Sequence, residues 1–383
     1  MVNNNLTNNA NTIIIHINLN IHYIEEFYGY VIFQKNQSYY ATIFLHLIHI
    51  GGIHMFEQLK KGDKVGLFNP SWPATVHAKE RYDRAKKFLE NKGFVLVEGG
   101  LTGQEESYRS ASPKARAEEF NTLLSDPSIK MIMSTIGGTN SNSMLPYIDY
   151  KAFKRNPKIV VGYSDTTAIL LALYAKTGIP TYYGPALIPS FGEFEPLVND
   201  TYTYFENYFC KRKAPYTIEK LPFWSDEKTN WLKFNAPKKL YNNEWIATGE
   251  GIVEGRLIGG NNNTMYGFIG TEYFPEFTEG DILLIEDSCK DAATVEKNFA
   301  MLKLHGIFNK AGAILLGKHE LYDDLETNKT QLDLLLEQLD GLQIPILSEI
   351  DCAHTHPMFP LAIGKRIQVN INEKSITCIE NWL

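Results

Sequence analysis

Hydroxyl-based catalysis needs a nucleophile, a base to take its proton and an acid to hold that base. The chain offers a serine at an abrupt join. In KIVVGYSDTTAILLALYAKTG, Lys158 to Gly178, a β-branched apolar run gives way at Ser164 to apolar residues at helical spacing, and Gly178 ends them. A serine there can cap the free N–H groups of the first helical turn. It can equally stand exposed at a strand-to-helix elbow as a nucleophile. The stretch alone leaves both readings open.

Candidate bases are few. Five of the ten histidines lie in the first 54 residues, which leaves His77, His305, His319, His354 and His356. His77 and His305 fall in helical segments and read as surface or core residues. His319 ends a strand in LGKHE and is a candidate. His354 lies in DCAHTHPMFP, a loop just after a strand whose prolines fix its path. Among acids, Glu286 and Asp287 leave the wholly apolar strand DILLIED, where a carboxylate cannot be buried cheaply without a partner. A cap or a structural ion pair is the plainer role for Glu286. The N–H of Asp165, at a helix start, can stabilise an oxyanion, and the Gly137-Gly138 turn can bring another N–H close. The same glycines would also serve a tight turn and nothing more.

The elements that must position these residues alternate. Strands are predicted over 63–69, 93–98, 130–136 and 159–163, with helices over 78–92 and 112–124 between them. Apolar strands separated by amphipathic helices imply an α/β fold with a parallel sheet covered on both faces. Ligands of such sheets sit at the carboxyl ends of the strands, where Asn69, Gly137, Gly138 and Ser164 all fall. Residues 196–250 are irregular in period and read as a connecting, substrate-loop region. From Gly251 a second α/β block follows, with strands at DILLIED, AGAILLGKHE and PILSEID, helices over 292–305 and 331–339, and a final hairpin. The expected organisation is therefore 55–195, 196–250 and 251–383.

Composition excludes several classes. With 44% hydrophobic and 21% charged residues the 383-residue chain reads as globular, and a net charge of −7 argues against electrostatic binding of nucleic acid. Cys210, Cys289, Cys352 and Cys378 are scattered, with no metal-binding spacing, as suits a reducing cytoplasm. Residues 1–54 stand apart. They hold three of the chain's 37 basic and 44 acidic residues, and their best apolar run, Ala41 to Ile50, is too short to span a bilayer. They read as non-native or disordered sequence ahead of a start at Met55. Two glycine codons at Gly51-Gly52 can spell a ribosome-binding sequence just before that methionine. A genuine N-terminal extension is the alternative.

Five motifs in order resemble one family. MSTIGGTNSNSMLPYIDY, GYSDTTAILLALYAKTGIPTYYGP, EGRLIGGNNNT, GDILLIEDS and DCAHTHPM are similar to the LD-carboxypeptidase family of serine peptidases, most closely its microcin C self-immunity branch. The resemblance runs from about Phe56 to the C-terminus. It implies a Rossmann-like N-terminal domain carrying a nucleophile elbow, and a C-terminal domain supplying Glu and His. Residue by residue it places the nucleophile on Ser164, the glutamate on Glu286 and the histidine on His354. It also implies a homodimer and no metal or cofactor, and with the donors read above the N–H groups of Asp165 and Gly138 would hold the oxyanion. The branch is similar around PFWSDEKTNW, where Trp224 and Trp231 would stack on the nucleotide of a small peptidyl- or aminoacyl-nucleotide substrate. Packing of an irregular loop is the other role for these tryptophans. Gly137, Asn261 and Asn263 would complete the substrate site, and Asn262 departs from the usual apolar residue. A murein-tetrapeptide LD-carboxypeptidase is the alternative enzyme, and a non-catalytic binding module would require a broken triad.

Overall fold

The computed structural model describes residues 56–232 and 236–383, together with the backbone of four strands in the first 53 residues. Those residues form a unit by themselves, in which Thr7–Asn9, Thr12–Ile21, Ile24–Gln34 and Ile43–Phe44 pair antiparallel in chain order. The expectation that 1–54 is non-native or disordered sequence otherwise lies outside the described residues.

Residues 54–383 form the second unit, an α/β assembly with two large sheets and a two-stranded one, Phe223–Trp224 paired with Tyr241–Asn242. The first contains β1 (Lys64–Phe68), β2 (Val95–Glu98), β3 (Ile129–Ser134), β4 (Ile159–Gly162) and β5 (Thr181–Tyr183). These five are mutually parallel in the order β5-β4-β3-β1-β2. Every residue of β4 is buried, as its IVVG sequence demands of a strand covered on both faces. The helix after it, α1 (Thr167–Thr177), buries its first seven residues and stops at Gly178, whose φ of 73° supplies the left-handed C-terminal turn.

The second sheet collects β6 (Tyr216–Ile218), β7 (Ile246–Thr248), β8 (Ile252–Asn261), β9 (Asp281–Glu286), β10 (Ala311–Gly317) and β11 (Ile346–Ile350). After β12 (Leu361–Ile363) come β13 (Arg366–Asn370) and β14 (Ser375–Cys378). The order is β6-β14-β13-β8-β9-β10-β11-β7. The centre, β8 to β11, is parallel, and β13-β14 is the expected hairpin. The region read as irregular in fact contains a helix, Leu197–Glu206, and β6. Strand β12 does not join its sequence neighbours. It pairs antiparallel with β5, so the C-terminal part of the chain completes the first sheet.

One close approach decides where the two sheets' ends meet. Gly260 in β8 has φ 153°, and a Cβ there would fall 2.8 Å from Thr167 Cγ2 and 2.9 Å from Tyr183 Cε2. Only glycine lets the strand lie this near the start of α1 and the end of β5. The next residue seals the contact, as the Asn261 N–H donates to Thr167 Oγ1 at 3.1 Å. Because β9 runs parallel beside β8, with Asn261 opposite Glu286, the carboxyl end of β9 is carried to Tyr183.

Candidate active site

Ser164 stands where β4 turns into a short 3₁₀ turn, Ser164–Thr166, that leads into α1. Its φ is +60°, a conformation that L-residues adopt at a cost of about 1–3 kcal/mol. A cap would not need that strain, and the N-cap position of this turn is held by Tyr163 rather than Ser164. The elbow is held from behind. The Ser164 N–H donates to the Tyr183 hydroxyl at 3.2 Å, and Thr167 Oγ1 donates to the Ser164 carbonyl at 2.5 Å.

Glu286, at the end of an entirely buried strand, has every need met. Its Oε1 accepts from the Tyr183 hydroxyl at 2.6 Å and the Asn261 side-chain amide at 2.9 Å. Its Oε2 accepts from the His354 backbone N–H at 3.1 Å and lies 2.6 Å from His354 Nδ1. Burial alone would raise this carboxyl, but His354, Tyr183 and Asn261 more than offset it and hold it below the usual range. Burial alone would likewise lower His354, and the Glu286 charge reverses that and lifts the imidazole above its ordinary 6.5. The two directions agree, as expected of an ion pair. Tyr163 meets the imidazole edge to face at 4.7 Å, which fixes the ring plane.

Ser164 and His354 line one cavity of about 250 Å³ together with Gly137, Gly138 and Trp231. A Cβ on Gly137 would sit 2.8 Å from Ser164 Oγ and 3.0 Å from the Asp165 nitrogen. The space beside Gly137 is therefore within hydrogen-bond reach of the Asp165 N–H and next to Ser164 Oγ, a place where an oxyanion could be met. Gly138, with φ 149°, packs on the Ser71–Trp72 loop, where a Cβ would meet Ser71 Oγ at 2.2 Å. The Asp165 carboxylate turns away from the cavity and accepts from the N–H groups of Asn140 and Ser141 at 2.8 and 2.9 Å.

The other expected residues are distributed. Trp231 is half-buried in the cavity wall, with the Arg81 guanidinium 4.6 Å from its ring and Trp72 tilted against it at 6.2 Å. Trp224 faces a different cavity, of about 660 Å³, next to Lys318 and His319. Asn261 serves Glu286 and caps the helix Asn262–Tyr266 by accepting from the Thr264 N–H at 2.9 Å. Asn263 meets Asp287 through its N–H at 3.2 Å, and burial, with Glu286 beside it, pushes that aspartate up to about 7. His319 accepts from the Lys290 N–H at 3.2 Å, with burial pushing it down to about 4, and it lines the Trp224 cavity. His356 does line the Ser164 cavity, but its Nε2 is tied to the Pro189 carbonyl at 2.8 Å.

Sequence reasoning did not find Tyr183, Trp72, Arg81, Lys238 or Glu320, all at this site. Glu320 carried a usable signal. It follows the buried apolar strand Ala311–Gly317 after Lys318 and His319, whereas Glu286 is itself the last residue of its strand. The arrangement sets a serine hydroxyl and a carboxylate-held imidazole around one cavity, the groups that attack on a carbonyl would need.

The LD-carboxypeptidase N-terminal domain matches residues 65–184, and the LD-carboxypeptidase C-terminal domain matches residues 254–369. The microcin C7 self-immunity protein MccF of Escherichia coli is 52% identical over 328 residues, covering 85% of this chain and 95% of that protein. A putative carboxypeptidase of Vibrio cholerae is 48% identical over 325 residues, covering 85% and 97%. A solved structure of MccF in complex with aspartyl sulfamoyl adenosine superposes with a TM-score of 0.84 at 52% identity, covering 86% of this chain and 99% of that one.

Proposed function

The chain belongs to the LD-carboxypeptidase family of peptidases, and from that premise we propose that it is a serine peptidase cleaving aminoacyl- or peptidyl-nucleotides of the microcin C type. Ser164 Oγ attacks the amide carbonyl carbon while His354 takes its proton. Glu286 holds the imidazole and balances its charge. The oxyanion is met by the N–H groups of Asp165 and Gly138. Collapse of the intermediate breaks the amide bond, and the proton on His354 passes to the departing nitrogen of the nucleotide half. Water, activated by the same histidine, then frees the aminoacyl or peptidyl acid.

The observation that carries this reading is the 2.6 Å Glu286–His354 contact, whose imidazole lines one cavity with a serine held at φ +60°. The substrate class rests on Trp231 in that cavity, and on the likeness to a protein solved with aspartyl sulfamoyl adenosine. Residues 55–195 would then supply the nucleophile, 251–383 the Glu and His, and 196–250 the loop over the nucleotide. The enzyme would work in the cytoplasm as a homodimer, in self-immunity or detoxification. Among the described residues no helix is long and apolar enough to cross a membrane.

Incubating the protein with an aminoacyl sulfamoyl adenosine and, separately, with a murein tetrapeptide tests this by mass spectrometry. The nucleotide should be cleaved, and Ser164→Ala should abolish cleavage without abolishing binding. Cleavage of the tetrapeptide alone would make the protein a cell-wall LD-carboxypeptidase.

A further inference from the structure

Once the triad and oxyanion donors are assigned, one ionisable group in the Ser164 cavity has nothing to do. Glu320 follows β10 and lines that cavity with Ser164 and His354. Its backbone is fixed, since its carbonyl accepts from the Cys289 N–H at 2.8 Å beside a bridge to Ser288. Its side chain, in contrast, has no hydrogen bond or ion pair among the described residues.

The nearby cations are engaged elsewhere. Arg81 pairs with Glu193 at 2.9 Å, Lys238 lies 3.8 Å from the same carboxylate, and His354 belongs to Glu286. Burial pushes the Glu320 carboxyl up, and His354 and Lys238 only partly offset this. A half-buried carboxylate without a protein donor is poorly stabilised, and a bound cation would relieve it.

An aminoacyl substrate brings such a cation to a fixed place. Its α-nitrogen lies two bonds, about 2.5 Å, from the carbonyl carbon under attack. Any group that recognises the α-ammonium must therefore share a cavity with the nucleophile, and Glu320 is the carboxylate there not already paired.

We propose that Glu320 is a specificity residue for the α-nitrogen of the scissile aminoacyl group: its carboxylate pairs with the free α-ammonium, so the enzyme favours aminoacyl over N-acylated substrates. A peptidyl group presents a neutral amide N–H to the same oxygen, which makes a weaker bond. The inference rests on the nucleotide-peptidase reading above.

The test compares an aminoacyl sulfamoyl adenosine with its N-acetyl derivative on the wild-type enzyme. The free amine should be favoured by about tenfold or more in kcat/KM, because N-acylation leaves the cavity carboxylate without its ion partner. Glu320→Gln keeps the shape and removes the charge, so this ratio should fall towards one, while Glu320→Asp should keep part of it. A general loss of packing would slow both substrates and leave the ratio alone. Equal cleavage of the two by the wild type, or an unchanged ratio in Glu320→Gln, overturns the proposal and leaves the peptidase reading standing. Failure to cleave either substrate overturns both.

Discussion

Gly137→Ala isolates the oxyanion space by adding one methyl group. The backbone of Gly137 is not in the left-handed region, so alanine can adopt it without torsional strain. The new Cβ, though, would stand 2.7 Å from Ser164 Cβ, 2.8 Å from Ser164 Oγ and 3.0 Å from the Asp165 nitrogen. Ordinary contact begins at 3.4 Å, so Ser164 must retreat by several tenths of an ångström. The methyl also fills the place from which a substrate oxygen would accept the Asp165 N–H. Misplacing a reacting group by about 1 Å can cost about 10²-fold, and losing one oxyanion donor about 10²–10³-fold, or roughly 2.7–4 kcal/mol. The expected result is a kcat on aminoacyl sulfamoyl adenosine lowered by about 10²–10³-fold, with a cooperative thermal transition retained. Adding Ser164→Ala should cost little more than Ser164→Ala alone, because the two act as a unit. The matched control is Gly178→Ala, at φ 73° with no atom within 4 Å, which should cost about 1 kcal/mol of stability and no activity. A folded Gly137→Ala enzyme with kcat within about threefold of wild type would refute the placement of the oxyanion.

Since His354 must be neutral to accept the serine proton, kcat/KM should climb with pH through a midpoint above 6.5, and Glu286→Gln should move that midpoint down. The same pair stabilises the fold most between the unfolded-state values of 4.5 and 6.5; its contribution fades as pH falls through the depressed Glu286 value or rises through the elevated His354 value, as denaturation at several pH values would reveal. Trp231→Ala should weaken binding of the nucleotide substrate by about 1–3 kcal/mol with little change in Tm, whereas Trp224→Ala, in the other cavity, should leave binding unaltered. Asn261→Ala removes both a helix cap and a donor to Glu286, so it should cost about 1 kcal/mol in denaturant titrations and lower kcat without raising KM.

Several features were legible in the residues because they are local. An all-apolar DILLIE run can only be an interior strand, and a carboxylate at its end must find partners, so Glu286 announced itself. The strand-to-helix join put Ser164 at a carboxyl end, and Gly178 marked where α1 stops. Periodicity of this kind reports which face of an element is buried. It does not report what lies across from it. The partners of Ser164 and of each candidate base lie far along the chain. Glu286 meets His354 across 68 residues and Tyr183 across 103, through an approach that Gly260 permits. His319 and His354 both follow strands, and packing alone put the first on Lys290 and the second on Glu286. Trp224 and Trp231, seven residues apart, went to different cavities because residues between them are pinned, with Ser225 bridged to His356. Strand β12 crossed to the first sheet because β5 offered it an open edge, a vacancy that no stretch of sequence near Leu361 contains. Local chemistry was fixed by the order of residues, and the pairing of distant side chains by close packing, whose choices depend on every neighbour at once.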